Sequence, residues 1–176
     1  FLFSLKSVSH PSDTLCTLYV LEAFMREQTG NLWTHHAAGD WIAITTNGIV
    51  RRDGTAVMGA GLAKQAALRF PTLPGLLGEA LRTQGNQLMA WPAFRLFTFP
   101  TKYDWKQPSE LALIDASARA LLAYIQSHQI QTVYLPRPGC GLGQLEWSAV
   151  RSILAPLWDD RFVILTPPPS STPSSR

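Results

Sequence analysis

Short apolar strands alternate with amphipathic helical segments along most of this chain of 176 residues. Residues 41–46 form a run rich in β-branched side chains, bounded by Gly39 and Asp40 before it and by Asn47 and Gly48 after it. Such a run is typical of a buried strand. Repeated strand and helix alternation predicts an α/β fold, with a mixed or parallel sheet and helices on both faces. In such folds the loops that leave the carboxyl ends of the strands form the ligand crevice.

The remaining elements follow from hydrophobic spacing and from breakers. Pro71 ends one predicted helix, Pro74 lies in the first turn of the next, and Ser109 is the expected N-cap of the longest. Asp115 and Arg119 are predicted to form an exposed pair on that helix. A further helix is expected around Trp147. Further strands are predicted at residues 87–91, 94–99, 132–135 and 161–165, and helices at 61–70, 73–82 and 109–127.

The length fits one domain, which we place at residues 25–166. Residues 167–176 read PPPSSTPSSR and are expected to form a disordered tail. Residues 1–24 are treated as an N-terminal extension, although residues 15–24 are apolar enough to pack as an added strand or helical turn. The sequence leaves that choice open.

Composition excludes several classes of protein. Hydrophobic residues make up 46% and charged residues 15%, with a formal net charge of +3, so the chain is neither disordered nor polybasic. No run is long enough to predict a membrane span. Cys16 and Cys140 lie in no metal-binding spacing, which favours free thiols and a cytoplasmic location. A monomer is the default expectation.

Glycine concentrates in two clusters that each follow a predicted strand. The first is Met58-Gly59-Ala60-Gly61, and the second runs from Pro138 through Cys140 to Gln144. Both clusters are expected to open helices, where backbone N–H groups and the helix dipole suit a phosphate or diphosphate. Glycine-rich turns also occur for tight geometry alone, and the clusters lack the spacing of the Rossmann and P-loop motifs. Spacing alone leaves both interpretations open.

Two polar residues follow apolar strands. Asn47 can bond a sugar hydroxyl, or it can be the turn residue of an Asn-Gly pair. Lys102 stands among aromatic residues, where loss of hydration can make a lysine a nucleophile, although most lysines are solvated surface charges. His35 and His36 are predicted loop residues. The spacing of the histidines, cysteines and acids predicts neither a metal site nor a hydrolase triad.

Together these segments resemble the macrodomain family, most closely the subclass found in DarG antitoxins, which remove ADP-ribose from DNA. The matching segments occur in the family's order within residues 25–166. They are TGNL from Thr29, TTN from Thr45, VMGAGLA from Val57, FPTK from Phe99 and PRPGCGLGQLEW from Pro136.

The resemblance implies a three-layer α/β/α domain with a mixed central sheet, which binds ADP-ribose without a cofactor. It implies a catalytic role for Lys102, and Gly143 stands where a related glycohydrolase has an aspartate. The positions that it assigns to ligand binding are Asn31, Leu32, Asn47, Met58, Gly59, Ala60, Gly61, Leu62, Thr101, Pro138, Gly139, Cys140, Gly141, Leu142, Gly143, Gln144 and Leu145.

The expected function is hydrolysis of the bond between ADP-ribose and its acceptor, with ADP-ribosylated thymidine DNA as the expected substrate. Arg51, Arg52, Lys102 and Lys106 are candidates for contacts with DNA phosphates, although Arg51 and Arg52 fit an exposed loop equally well. The alternatives are a non-catalytic ADP-ribose reader, an ADP-ribosyl-protein glycohydrolase and an ADP-ribose 1''-phosphate phosphatase. Full DarG-type antitoxins carry a further domain, and the Pro/Ser tail gives toxin binding no support.

Overall fold

The computed structural model describes residues 5–6, 20–21 and 24–168. In the N-terminal part, β1 (Leu5–Lys6) pairs antiparallel with β2 (Val20–Leu21). The second of these strands lies in the apolar stretch 15–24, which the sequence left open between strand and helix. The rest of the predicted extension and residues 169–176 of the predicted tail lie outside the described residues.

The main sheet has six strands in the order β3-β8-β7-β4-β6-β5. The pair β5 and β6 is antiparallel and the other neighbours are parallel, so the predicted mixed sheet is confirmed. The strands are β3 (Arg26–Thr29), β4 (Trp41–Asn47), β5 (Met89–Trp91), β6 (Leu96–Lys102), β7 (Val133–Pro136) and β8 (Phe162–Thr166). The helices are α1 (Leu32–Ala37), α2 (Gly61–Arg69), α3 (Leu73–Gln84), α4 (Leu111–Ser127) and α5 (Trp147–Leu154).

Helices cover both faces of this sheet, because alternate residues of the central strands are buried on opposite sides. On β4, Ala43 packs in the core beneath α4 and α5, whereas Ile42 and Ile44 pack in the core beneath α1, α2 and α3. All three side chains are almost completely buried. The three-layer α/β/α architecture follows from this double burial.

Most predicted elements are confirmed within a few residues, and the exposed Asp115 and Arg119 pair is present at 2.9 Å. The predictions for the two histidines and for the cap of α4 are wrong. His35 and His36 belong to α1 rather than to a loop: His35 stacks on Tyr134 with 3.7 Å between ring centroids, and the His36 ring bonds the Phe94 carbonyl. Glu110, rather than Ser109, is the N-cap of α4, and that cap makes no side-chain hydrogen bond.

The parallel strands bring the predicted site residues to one edge of the sheet. A register shift after Thr46 places Asn47, the last residue of β4, opposite Lys102, the last residue of β6. The strand β7 ends beside them at Pro136 and leads into the second glycine cluster. In the described part of the chain, no helix is both long and apolar enough to cross a membrane.

Candidate functional site

A cavity of about 500 Å³ opens at the carboxyl ends of β4, β6 and β7. This volume is within the range of small-molecule sites. The two glycine clusters, the end of β4 and the end of β6 form its walls. Its lining residues are Thr45, Thr46, Asn47, Arg51, Val57, Gly59, Ala60, Gly61, Leu62, Ala63, Thr101, Lys102, Trp105, Ser109, Gly139, Cys140, Leu142 and Gly143.

The first glycine cluster turns the N-terminus of α2 toward this cavity. The first three residues of α2, which are Gly61, Leu62 and Ala63, all line the cavity. The N–H groups in the first turn of a helix have no acceptor within the helix. The N-cap is Ala60, which has no side-chain oxygen and makes no capping bond. Gly61 has a φ of 53°, a left-handed conformation that favours glycine. An uncapped helix N-terminus of this kind binds anions.

The second glycine cluster forms a compact loop, and it does not open α5 as expected. A 3-10 turn occupies Gly141–Gly143, Gln144 follows in a left-handed conformation, and α5 begins only at Trp147. The loop therefore cannot use the α5 dipole. Gly139 has a φ of 77°, a left-handed conformation that favours glycine, and a Cβ there would lie 2.7 Å from Ile114 Cδ1.

Ser109 lies directly beneath the second glycine loop. Its backbone N–H donates to the Gly143 carbonyl at 2.9 Å, and its side chain is buried against the cavity. A Cβ on Gly143 would collide with Ser109 Oγ and approach Ser109 Cβ to 3.1 Å. The hydroxyl has no hydrogen-bond partner in the described structure. Ser109 thus explains why a glycine stands at position 143.

Lys102 bridges the end of β6 and the second glycine loop. Its Nζ donates to the Leu142 carbonyl at 2.8 Å and lies 3.5 Å from the Trp105 carbonyl. Lys102 and Arg51 are the cationic side chains among the cavity-lining residues of the described chain, and no Asp or Glu lines the cavity in that part. The cavity is therefore suited to an anionic ligand, with one amine inside it.

Asn47 holds the loop that leads from β4 to the first glycine cluster. Its Nδ2 donates to the Val57 carbonyl at 2.9 Å, and its Oδ1 accepts from the Ile49 N–H at 3.0 Å. Both bonds use the carboxamide, yet the side chain also lines the cavity. Asn47 therefore combines the turn role and a place in the site, which the sequence had left as alternatives.

A second cavity of about 290 Å³ adjoins the first, and Gly61 and Leu62 line both. Asn31 lies at its edge as the N-cap of α1, where its Oδ1 accepts from the Trp33 N–H at 2.9 Å. Trp33 Nε1 in turn donates to Gln65 on α2. This cavity is lined by Gly30, Asn31, Leu32, Trp33, Gly61, Leu62, Gln65, Pro136, Leu165, Pro167 and Pro168.

The thiol of Cys140 lines the first cavity, and burial raises its pKa above the ordinary value for cysteine, despite the opposing charge of Arg137. A raised pKa keeps the thiol protonated at neutral pH, so Cys140 is a poor nucleophile. Within residues 24–168, no group of three histidine, cysteine or acidic side chains is arranged to hold a metal ion.

The structure brings most of the sequence-predicted site residues to these two cavities, and it places five of them elsewhere. Met58 and Pro138 are buried, Leu145 packs against the core, and Gly141 and Gln144 are exposed, and none of these five lines a cavity.

The residues that sequence reasoning missed include Ser109, which was assigned to a cap, and Trp33 and Gln65 in the second cavity. Ser109 carried no signal of a site, since a serine before an apolar helix predicts a cap. Trp33 and Gln65 come together only through the packing of α1 on α2.

The sequence model of the Macro domain family matches residues 58–154. A curated relative, the DNA ADP-ribosyl glycohydrolase of Mycobacterium tuberculosis, is 30% identical over an alignment of 129 residues, and the match covers 68% of this chain and 37% of the relative. The chain therefore spans little more than a third of the length of that curated relative.

Two solved structures have the same fold over most of the described chain. The macrodomain of Mycobacterium tuberculosis DarG matches with a TM-score of 0.68 and 27% identity, covering 83% of this chain and 99% of that one. The macrodomain of Thermus aquaticus DarG matches with a TM-score of 0.63 and 25% identity, covering 82% of this chain and 98% of that one.

Proposed function

This chain belongs to the Macro domain family, and we propose that it binds ADP-ribose and hydrolyses the glycosidic bond that joins ADP-ribose to DNA, specifically to the base of a thymidine. The observation that carries the proposal is the single cavity into which an uncapped helix N-terminus, a glycine loop and one lysine all open. The curated relative from Mycobacterium tuberculosis, which is named DNA ADP-ribosyl glycohydrolase, supports the same reaction and the same acceptor.

In this proposal the diphosphate lies between the N-terminal amides of α2 and the second glycine loop. Backbone N–H groups and the α2 dipole stabilise the two negative charges, and in the described chain no carboxylate lines the cavity to repel them. The adenosine end occupies the adjoining cavity beside Asn31 and Leu32. The distal ribose lies near Asn47 and Lys102, at the ends of β4 and β6.

Lys102 acts at the anomeric carbon in this account. As the bond to the base breaks, its electron pair goes to the base and the sugar gains oxocarbenium character. The Nζ of Lys102, as a neutral amine, either attacks this carbon and forms a C–N bond or stabilises its positive charge through the nitrogen lone pair, while the two loops hold the sugar in place. Water then adds to the anomeric carbon and displaces the amine where a C–N bond has formed. One proton of the water goes to the base, and the products are ADP-ribose and the unmodified base.

A non-catalytic ADP-ribose reader is the second candidate function. The observation that favours it is the lack of an acidic partner for Lys102, since Gly143 packs against Ser109 and no described carboxylate lines the cavity. A reader would hold ADP-ribose through the same backbone amides and would release no product.

Calorimetry with free ADP-ribose and release assays on modified substrates separate these functions. We expect binding of ADP-ribose, and release of ADP-ribose from ADP-ribosylated single-stranded DNA. Binding without release from any substrate would favour the reader. Release from ADP-ribosylated protein alone would move the acceptor from DNA to protein, and absence of ADP-ribose binding would contradict both functions.

The proposal also covers the functional unit, the oligomeric state and the location of the protein. We take residues 25–166 as the functional unit, the protein as a monomer and the cytoplasm as its location, in keeping with the free thiol of Cys140. A toxin partner is not part of the proposal.

A further inference from the structure

Two large exposed side chains lie in the loop that follows β6, directly after the cavity-lining Lys102. Tyr103 is 55% exposed and Trp105 is 51% exposed, whereas the residues of β6 are mostly buried. The Trp105 side chain also lines the cavity, as does Arg51 from the loop after β4. We call Arg51, Arg52, Tyr103, Trp105 and Lys106 the mouth rim.

The mouth rim combines aromatic faces with positive charge. Lys106 Nζ lies 5.4 Å from the centroid of the Trp105 ring, and both Arg51 and Arg52 are exposed. Asp53 and Asp104 are the acidic residues within these two loops, and each accepts hydrogen bonds from its own loop. Asp53 accepts from Thr55 and Asp104 accepts from the Lys106 N–H. Against these two carboxylates the rim has three cationic side chains, Arg51, Arg52 and Lys106, so a net positive charge remains beside its aromatic rings.

A hydrogen bond joins the loop after β4 to the loop after β6, since the Gly48 N–H donates to the Tyr103 carbonyl at 3.1 Å. Asn86, in the segment after α3, supports the second loop, because its Nδ2 donates to the Lys102 carbonyl at 2.9 Å. The turn that carries Arg51 is closed by its N–H, which donates to the Thr55 carbonyl at 2.7 Å. A surface fixed in this way needs little ordering when it binds a ligand.

We propose that the mouth rim binds single-stranded DNA next to the modified nucleotide, with a neighbouring base stacked on Trp105 and adjacent phosphates bound by Arg51, Arg52 and Lys106. This inference rests on the proposed function and names the surface that binds the DNA beside the modified nucleotide. A base whose ADP-ribose enters the cavity must leave the base stack, which costs least in a single strand. Its neighbour then lacks a stacking partner, and an exposed indole beside a lysine replaces that partner.

The test compares an ADP-ribosylated nucleoside with the same nucleoside inside a single-stranded oligonucleotide, using the whole chain. The quantity measured is the ratio of kcat/KM for the oligonucleotide to kcat/KM for the nucleoside. We expect a ratio above one, lowered about tenfold by Trp105→Ala and largely restored by Trp105→Phe, as expected for one base stacking contact. Annealing the complementary strand should slow release.

Charge is tested by the salt dependence of the same ratio. Lys106→Ala should reduce the slope of log(kcat/KM) against log[salt] for the oligonucleotide by about 0.7, the value for one phosphate contact in a single strand. Two variants serve as controls, because both remove exposed side chains that belong to neither loop of the rim. They are Leu76→Ala on α3 and Arg119→Ala on α4, and neither should change the ratio or the slope.

The outcomes separate this inference from the proposed function. If Trp105→Ala and Lys106→Ala leave the ratio unchanged, the rim is not a DNA-binding surface, and the proposal that the protein is a hydrolase is unaffected. If no substrate releases ADP-ribose, the proposed hydrolase activity is wrong. The Kd values for the modified nucleoside and the modified oligonucleotide then replace kcat/KM in the ratio and test DNA binding by the rim separately. A Trp105 effect confined to ADP-ribosylated protein also overturns the proposal for DNA.

Discussion

At the scale of single residues, the second glycine loop depends on the serine beneath it. Ser109 fills the space that any side chain at position 143 would need, and its N–H holds the loop at the Gly143 carbonyl. The importance of Lys102 could be inferred from the sequence, because the residue follows an apolar strand. The role of Ser109 could not be inferred from the sequence, because the residue that it contacts, Gly143, is 34 positions further along the chain.

Gly143→Ala should lower the free energy of unfolding by about 1–3 kcal/mol, because the added methyl group collides with Ser109. Ser109→Gly removes both atoms that meet this methyl group, so the double variant should recover part of the loss. Urea unfolding of the four proteins gives the coupling free energy. Strictly additive effects would show that the two residues do not meet.

At the scale of helices and strands, hydrophobic spacing located the elements that bury an apolar face. It missed β3, whose four residues are all exposed and which is held by parallel pairing with β8. It also missed α1, which has only six residues and mixes Leu32 and Trp33 with two histidines. The histidines pack by ring contacts with Tyr134 and Phe70, which no local spacing encodes.

Two glycines of α3 offer a matched pair of substitutions. A Cβ on Gly78 would collide with the Gly54 carbonyl in the turn that follows Arg51, whereas a Cβ on Gly75 meets nothing within 4 Å. Gly78→Ala should therefore destabilise the fold by about 1–3 kcal/mol, and Gly75→Ala should stabilise it by up to about 1 kcal/mol. If the two variants change the free energy of unfolding in urea by the same amount, this packing of α3 on the turn is contradicted.

The turn before β8 should make stability depend on pH. Hydrogen bonds from Arg161, the closest of them at 2.6 Å, lower the pKa of Asp159, so its ionised form is favoured in the folded state. This stabilisation is present above the unfolded pKa of about 3.9 and is lost as the pH falls through the folded value.

Asp159→Asn should therefore lower the free energy of unfolding at pH 7 by about 0.2–1 kcal/mol, the range for exposed pairs, and the difference should shrink toward pH 2. Asp160→Asn is the matched control, since its side chain accepts none of the described hydrogen bonds. Urea unfolding at several pH values measures both. A difference that grows as the pH falls would contradict the assigned pairing.

At the scale of the whole molecule, the sheet order creates the site. The strands β4, β6 and β7 lie side by side in space, although they are separated along the chain, and their carboxyl ends bring Asn47, Lys102 and the second glycine loop together. Local patterns predicted the alternation of strands and helices and the glycine clusters. They could not predict that Lys102 reaches the Leu142 carbonyl, because 40 residues separate the two.

The most direct test of the central claim is release of ADP-ribose from ADP-ribosylated single-stranded DNA by the unmodified protein and by Lys102→Ala, with the Kd for free ADP-ribose measured on both. Because the backbone amides rather than Lys102 hold the diphosphate, we expect the Kd values of the two proteins to agree within a few-fold. We expect the rate of release to be lower by about 10²-fold or more in the variant. Release at an unchanged rate from Lys102→Ala would contradict the central claim.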